Sequence, residues 1–277
     1  MSTSINHHRE GDGPPLVLLH GVGHHWQGWR PVIALLRGEF DVIACDSPGF
    51  GRSAPLSDSI EPTISAYTDA FEWFFAEIGL ERPHVAGNSM GGAIALELAR
   101  RRAIASASAF SPAGFWTRAE LHYCQFSLGT LSKPPRALRP LVAALARTRA
   151  GRTALFAQTF GHPARIPPEE AVAALHDAWA APAMAGVLEA FDGYRYAAGE
   201  QPRSPPVTVA WGEKDRLLPY RLQAPRARAL LPWATHVTLG TGHVPFWDDP
   251  AAVAEVIRSC ARAGEGEPRA ASAASAS

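Results

Sequence analysis

The amino-acid sequence predicts an α/β fold, in which a mostly parallel central sheet is flanked by helices and carries a helical cap insertion. Short apolar segments typical of buried strands alternate with segments of helical periodicity, and this alternation indicates a parallel sheet covered on both faces. Between Ser111 and Pro206 the alternation stops. The stretch of about 90 residues there is rich in Ala, Arg and Pro and is too long for one connection between a strand and a helix.

The domain boundaries follow from these changes in composition. Residues 1–111 and 207–263 are predicted to form the core that contains the sheet, and residues 112–206 the cap insertion. Residues 264–277 are rich in Ala, Ser and Gly and predict a disordered tail. A chain of 277 residues suits one large domain of this kind and has enough core to fold unaided.

The first half of the core has one especially clear helix. Over residues 63–78, apolar side chains recur every three or four positions, Thr63 can cap the start, and Gly79 can end the helix. The other elements of this half are short. They are predicted over residues 16–19 (strand), 40–45 (strand), the apolar stretch that leads from His84 into Ser89 (strand), 93–102 (helix) and 105–110 (strand).

The second half of the core is predicted to contain two strands and a final helix. The strands cover residues 206–211 and 235–239, and the helix covers about residues 251–262. Asp248 and Asp249 are predicted to cap the start of this helix, because acidic residues accept hydrogen bonds from the free N–H groups there.

The cap insertion contains one clear helix and an unusual run of positive charge. Leu138, Leu141, Val142 and Leu145 recur at helical spacing and predict a helix with one buried stripe. The surrounding cations predict a solvated helix face, and the alternative is that one arginine binds a substrate carboxylate. They occur without an intervening acid and are Lys133, Arg136, Arg139, Arg147, Arg149 and Arg152.

Ser89 lies in a Gly-x-Ser-x-Gly motif between a predicted strand and a predicted helix. Glycines two positions before and after the serine leave room for a sharp turn of the backbone. Such a turn exposes the hydroxyl at a helix N-terminus, where partial positive charge favours a developing oxyanion. The motif is short enough to arise by chance, so the interpretation of Ser89 as a nucleophile depends on its partners.

A base and an acid suitable for activating the serine occur further along the chain. Asp215 follows a predicted strand, and its spacing from Gly212 favours it over Glu213 in the same loop. His243 follows the next predicted strand, within a glycine-rich loop. Open parallel sheets build their sites just beyond the carboxyl ends of strands. We therefore predict Ser89, Asp215 and His243 as catalytic residues.

Two backbone N–H groups are predicted to form an oxyanion hole. Met90 directly follows the nucleophile, and Val22 lies in the His-Gly-Val-Gly loop after the first predicted strand. His20 is expected to brace this loop. His24 and His25 are adjacent and have no accompanying cysteine or carboxylate cluster, so no metal site is predicted.

The substrate pocket can be predicted only from proximity to these residues. Trp26 follows the oxyanion loop, Trp116 begins the cap insertion, and Val244 directly follows His243. These three are the candidates for residues that line the pocket.

A further motif makes the family resemblance specific. The run Asp-Ser-Pro-Gly-Phe-Gly-Arg-Ser at residues 46–53 is similar to a scaffold turn of the α/β-hydrolase superfamily. Together with the motifs at Ser89, Asp215, His243 and Val22, it makes most of the chain resemble a single-domain α/β-hydrolase with a helical cap. The resemblance implies the α/β-hydrolase fold, a Ser-Asp-His triad and no cofactor.

A serine nucleophile predicts attack on a carbonyl carbon, so hydrolysis of a small-to-medium carboxylic ester is the main expectation. The alternative is a carbon–carbon bond hydrolase of the meta-cleavage diketone type, which the elbow sequence also resembles. Those enzymes typically have Gly-Pro-Gly where this chain has Gly23-His24-His25, and a tryptophan where it has Val244. A third hypothesis is a non-catalytic ligand-binding receptor of the same fold.

Composition limits the partners that we expect. Lys and Arg number 26 and Asp and Glu number 26, and this zero net charge argues against nucleic acid or an anionic membrane as a partner. Three scattered cysteines predict no disulfide framework, and the N-terminal segment has no apolar signal-peptide core. The expectation is a cytoplasmic protein that acts on a small molecule. The sequence makes no prediction of the oligomeric state.

Overall fold

Seven strands form one sheet in the computed structural model, which describes residues 4–197 and 205–265. The strands are β1 (His7–Glu10), β2 (Pro15–Leu19), β3 (Asp41–Cys45), β4 (His84–Asn88), β5 (Ser106–Phe110), β6 (Val207–Gly212) and β7 (Thr235–Leu239). Their order across the sheet is β1-β3-β2-β4-β5-β6-β7, and every neighbouring pair is parallel except β1 with β3. The predicted fold class is confirmed, and β1 is a strand that the sequence analysis did not predict.

Ten α-helices are present in the described part of the chain. They are α1 (Arg30–Leu36), α2 (Ile64–Glu77), α3 (Met90–Arg100), α4 (Arg118–Ser132), α5 (Arg139–Ala146), α6 (Arg149–Phe156), α7 (Pro168–Ala180), α8 (Met184–Ala190), α9 (Tyr220–Leu230) and α10 (Pro250–Glu265). The helices from α4 to α8 lie between β5 and β6, within the predicted cap insertion. Among the described residues, no single helix has the length and apolar composition needed to cross a bilayer.

The two faces of the sheet pack into separate apolar cores. Leu16 and Leu18 of β2 belong to the cluster that contains side chains of α1 and α10. Val17 and Leu19 belong to the cluster that contains side chains of α2 and α3. Because successive side chains of a strand point to opposite faces, a continuous apolar strand buries both. The carboxyl ends of the parallel strands therefore remain available for a site.

Most of the predicted helices occur with shifted ends. In α2, Thr63 Oγ1 accepts a hydrogen bond from the amide of Ala66 at 3.2 Å, as expected for an N-cap, and Gly79 after the helix has a φ of +71°. Helix α3 begins at Met90, three residues before the prediction. Helix α10 continues to Glu265, so residues 264 and 265 of the predicted tail are helical. Residues 266–277 lie outside the described residues.

The predicted burial of the leucine stripe on α5 is wrong. Leu138, which directly precedes the helix, is 48% exposed, and Leu141 and Leu145 are 58% and 45% exposed. Of the predicted stripe only Val142 packs against the core, together with Ala143 and with Ala146, which is fully buried. Helical periodicity predicts that apolar residues share a face, but it does not identify the face that a neighbouring element covers.

Asp248 connects the cap insertion to the core, which differs from its predicted role as a helix cap. Its carboxylate accepts hydrogen bonds from the amides of Gly161 at 2.7 Å, His162 at 2.8 Å and Gly242 at 2.8 Å. Asp249 alone caps α10, since its Oδ1 accepts a hydrogen bond from the amide of Ala252 at 3.0 Å. Adjacent acids at a helix start fit the same sequence pattern, so the pattern could not separate their roles.

We predict that Asp248→Ala destabilises the protein much more than Asp249→Ala. The first change leaves three backbone N–H groups without their charged acceptor and should lower the free energy of unfolding by about 3–5 kcal/mol. The second removes one exposed helix cap and should cost about 1 kcal/mol. Urea unfolding at pH 7 measures both, and equal losses in the two variants would contradict the structural role of Asp248.

Candidate active site

Ser89 occupies a strained turn between β4 and α3. Its φ and ψ are +56° and −113°, a conformation that residues other than glycine rarely adopt. A side chain at Gly87 would place its Cβ 2.1 Å from the carbonyl oxygen of Gly91, and one at Gly91 would lie 2.4 Å from that of Leu19. The glycines of the motif are therefore required because the backbone passes too close for any side chain.

His243 and Asp215 form a buried pair beside this turn. His243 Nδ1 lies 2.8 Å from Asp215 Oδ2, and both side chains are almost completely buried. Asp215 Oδ1 accepts further hydrogen bonds from the amides of Leu217 at 3.0 Å and Leu218 at 2.8 Å. With Nδ1–H donated to the carboxylate, the other ring nitrogen, Nε2, is free to accept a proton.

The loops that carry this pair touch through glycines. A Cβ at Gly212 would lie 2.1 Å from the carbonyl oxygen of Gly242, so the two loops meet at backbone contact distance. The amide of Lys214 also donates a hydrogen bond to the carbonyl of Thr241 at 2.9 Å. Backbone contacts thus hold the loops of Asp215 and His243 together in addition to the hydrogen bond between the two side chains.

Asn88 is a site residue that the sequence analysis did not identify. Its side-chain amide donates hydrogen bonds to the carbonyl oxygens of His243 at 2.8 Å and Phe110 at 3.1 Å. It therefore joins the end of β4 to the loop of the histidine. A signal was present, because a polar residue at the end of a buried strand needs internal partners.

His20 braces the loop after β2, as expected. Its Nδ1 contacts the carbonyl of Gly21 at 2.7 Å, and its Nε2 accepts a hydrogen bond from the amide of Ser47 at 2.9 Å. Burial lowers the pKa of His20 to about 4, so the ring is neutral near pH 7 and can accept this bond. Asp46 supports the same region by accepting a hydrogen bond from the amide of Trp26 at 2.8 Å.

The backbone amides of Val22 and Met90 remain available for an anionic oxygen. Val22 lines the same cavity as Ser89, and Met90 is the first residue of α3. Neither amide donates a hydrogen bond to an acceptor within the described residues, 4–197 and 205–265. Free N–H groups at a helix start stabilise negative charge.

Ser89 and His243 open onto one cavity between the core and the cap insertion. The empty space in and around it, including the part that is open to solvent, is about 660 Å³. Apolar side chains dominate its wall, and in the described part of the chain no Lys, Arg, Asp or Glu lines it. Its apolar lining includes Val22, Leu128, Phe156, Phe160, Leu175, Met184, Leu217 and Val244.

Two of the predicted pocket residues lie elsewhere. The ring of Trp26 stacks on His8 at 4.4 Å between ring centroids, outside the cavity. The indole of Trp116 donates a hydrogen bond to the carbonyl of Tyr194 at 3.1 Å and packs against Phe191. Both predictions are therefore corrected, because neighbours in sequence need not share a surface. Val244, the third candidate, lines the cavity.

The cations of the cap insertion also lie away from the cavity. Among the described residues, none of the six cations singled out in the sequence contributes to the cavity wall. Arg152 is buried and donates hydrogen bonds to the carbonyls of Ala146 at 3.2 Å and Arg147 at 2.8 Å, at the end of α5. A substrate carboxylate bound by one of these arginines is thus not supported.

His24 and His25 have different electrostatic environments. His24 lines the cavity, its Nδ1 is buried without a partner among the described residues, and burial lowers its pKa to about 3. His25 Nε2 lies 2.5 Å from the carboxylate of Asp177 in α7. Burial acts to lower the pKa of His25, but the hydrogen bond and charge of Asp177 outweigh it and raise this pKa.

Comparison with known proteins places this geometry in a family. A sequence model of the alpha/beta hydrolase family matches residues 16–256. The chain therefore belongs to the alpha/beta hydrolase family.

Individual relatives match the chain over different lengths. An uncharacterized protein of Mycobacterium tuberculosis H37Rv is 29% identical over 268 residues, covering 89% of this chain and 75% of its own. A 2-hydroxy-6-oxononadienedioate/2-hydroxy-6-oxononatrienedioate hydrolase of a Pseudomonas species is 36% identical over 101 residues, 35% of each chain. A thermophilic esterase of Thermogutta terrifontis has the same fold, with a TM-score of 0.72, 21% identity and coverage of 95% of this chain and 94% of its own.

We predict that His24 makes the protein less stable in acid. Its pKa is about 3 in the folded protein and about 6.5 in the unfolded chain, so only the unfolded chain binds the proton between these values. The free energy of unfolding should therefore fall as pH decreases below 6.5. His24→Phe removes this contribution and keeps an aromatic ring.

Urea unfolding at pH 7.5 and pH 5 tests this prediction. The wild-type protein should lose about 1–2 kcal/mol more than His24→Phe between these pH values. At pH 7.5 the histidine is neutral in both states, so a difference there measures packing alone. An equal loss in both proteins would show that His24 is not buried as a neutral ring.

Proposed function

We propose that the chain is a serine hydrolase that cleaves small-to-medium carboxylic esters through an acyl-enzyme intermediate. The observation that carries this proposal is the shared apolar cavity, onto which Ser89 opens from its strained turn beside His243. The hydrogen bond from His243 to the buried Asp215 supports a histidine that acts as a base.

The proposed reaction has two steps with the same proton carrier. Ser89 Oγ attacks the ester carbonyl carbon while Nε2 of His243 takes the hydroxyl proton, and that proton then passes to the departing alkoxide. The alcohol leaves and the acyl group stays on Ser89. In the second step His243 takes a proton from water, the hydroxide attacks the acyl carbon, and Ser89 Oγ recovers the proton as the acid leaves.

The proposed oxyanion hole consists of the amides of Val22 and Met90. Both N–H groups are available, and the second lies at the start of α3. Hydrogen bonds from preorganised amides to the tetrahedral oxyanion lower the barrier, typically by about 3–4 kcal/mol per donor. Asp215 keeps the imidazole in the required tautomer and stabilises the imidazolium that forms.

The character of the cavity favours a neutral substrate. Burying a carboxylate without a charged partner is costly, and the described wall of this cavity has no lysine or arginine. An uncharged ester with an apolar acyl chain meets the wall without this cost. The cavity wall therefore favours a neutral ester as the substrate over an anionic diketone.

Carbon–carbon bond hydrolysis is the second candidate. The observation that favours it is the similarity to the Pseudomonas hydrolase, whose name describes a dicarboxylate substrate. That match covers 35% of this chain. A non-catalytic receptor of this fold is the third candidate, and slow turnover with tight ligand binding would distinguish it.

Steady-state hydrolysis of p-nitrophenyl esters of graded acyl length tests the proposed function. We expect turnover with a clear optimum of acyl length, and Ser89→Ala should lower kcat by about 10⁴-fold or more. Ser132→Ala serves as the matched control, because Ser132 lines the same cavity and has no role in the proposed chemistry. It should stay within about tenfold of the wild type.

A vinylogous 1,5-diketone acid separates the two hydrolase candidates. Faster cleavage of the diketone than of any ester, lost in Ser89→Ala, would replace the ester proposal with carbon–carbon hydrolysis. Ester turnover that survives in Ser89→Ala would contradict the nucleophile in both.

A further inference from the structure

Helix α5 presents apolar side chains to solvent on the face that is turned away from the protein. Leu138, Leu141 and Leu145 are each 45–58% exposed and lie three and four positions apart, on one side of the helix and the turn before it. The adjoining side carries Val142, Ala143 and Ala146, which pack against the core. Exposed leucines that occur singly are common, but an aligned stripe at helical spacing indicates a binding surface.

Cations surround this stripe. Lys133, Arg136, Arg147 and Arg149 are exposed on the same segment. Between residues 121 and 168 the chain has no Asp or Glu at all, although its overall net charge is zero. The zero net charge of the whole chain argued against an anionic membrane as a partner. It does not describe this segment of the cap insertion, which is strongly basic.

Three of the acidic residues near the borders of this segment pair with other partners, while Glu169 at the start of α7 is exposed. Glu120 binds Arg226, Glu170 binds Arg30 and Asp177 binds His25. These pairs direct three carboxylates toward the core, so the four exposed cations of the segment outnumber the one exposed acid at its borders. A ligand of this surface must supply negative charge from outside.

A groove at the edge of the stripe adds a polar subsite. Arg136 and Arg139 line it together with Trp179, and the guanidinium of Arg139 lies 5.4 Å from the indole centroid. Arg139 Nε is buried without a hydrogen-bond acceptor among the described residues. A lipid phosphate in this groove would contact the guanidinium groups of Arg136 and Arg139, since guanidinium groups bind phosphate well.

We propose that the outer face of α5 docks the protein onto an anionic phospholipid bilayer. Leu138, Leu141 and Leu145 enter the headgroup region, and the surrounding lysine and arginines contact lipid phosphates. This combination of an apolar stripe and flanking cations is the signature of a helix that lies in a membrane interface. Nucleic acid would pair with the cations but would leave the leucines exposed to water. A second copy of the chain would cover the leucines but would bring its own cations against those of the first copy.

The test is flotation of the full chain with vesicles of phosphatidylcholine alone or of phosphatidylcholine and phosphatidylglycerol in equal parts. Partitioning should rise with phosphatidylglycerol and fall with added salt. Arg147→Gln/Arg149→Gln should weaken it about fivefold for each charge removed. Leu141→Ser/Leu145→Ser should weaken it about tenfold or more, because two apolar side chains no longer enter the interface.

Leu35→Ser/Leu222→Ser is the matched control, since these leucines are similarly exposed, at 41% and 50%, but lie on α1 and α9 of the core. It should bind vesicles like the wild type, and circular dichroism should show every variant folded. The assay involves no catalysis, so Ser89→Ala should float like the wild type whatever the outcome for the proposed function. Turnover of a soluble ester should be unchanged in Leu141→Ser/Leu145→Ser.

Two results would overturn the proposal. The first is equal binding to vesicles with and without phosphatidylglycerol, and the second is equal binding by the Leu141→Ser/Leu145→Ser variant and the wild type. A wild-type protein that does not float but elutes as a dimer, with the leucine variant eluting as a monomer, would assign this face to contact between copies of the chain.

Discussion

Close backbone contact at the carboxyl ends of the central strands is the constraint on which the site depends. The turn between β4 and α3 exists only because Gly87 and Gly91 lack side chains that would collide with carbonyl oxygens. The loops after β6 and β7 meet in the same way at Gly212 and Gly242. Because these contacts hold the backbone, the side chains of Ser89, Asp215 and His243 do not depend on their own hydrogen bonds alone for their positions.

The cap insertion carries two surfaces of opposite character. Its inner surface closes a neutral, apolar cavity, and its outer surface on α5 carries cations and exposed leucines. The core holds the insertion through polar contacts, with Asp177 paired to His25 and Asp248 bound to the amides of Gly161 and His162. These contacts face inward and leave the outer surface unneutralised. The cap insertion therefore has an uncharged surface toward the cavity and a basic surface on the outside of α5.

The fold could be predicted from the sequence, and so could the proximity of Ser89, Asp215 and His243, because motifs report local backbone geometry and glycine spacing reports close contact. The catalytic roles of these residues stay a prediction. The sequence did not predict relations that depend on packing between distant segments. The pocket assignment of Trp26 and Trp116 and the buried stripe of α5 were wrong for this reason, because apolar character does not identify the neighbour that covers a side chain. Asp248 was assigned to a helix start because its partners lie far away in the chain.

Covalent labelling tests the central claim, that Ser89 is a nucleophile activated by His243, most directly. The full chain is incubated with diethyl p-nitrophenyl phosphate, and the adduct is located by mass spectrometry of the intact protein and its peptides. We expect one diethylphosphoryl group for each chain, on Ser89, and a far slower labelling of His243→Gln. A chain that stays unmodified, or that carries the group on another residue, would contradict this claim.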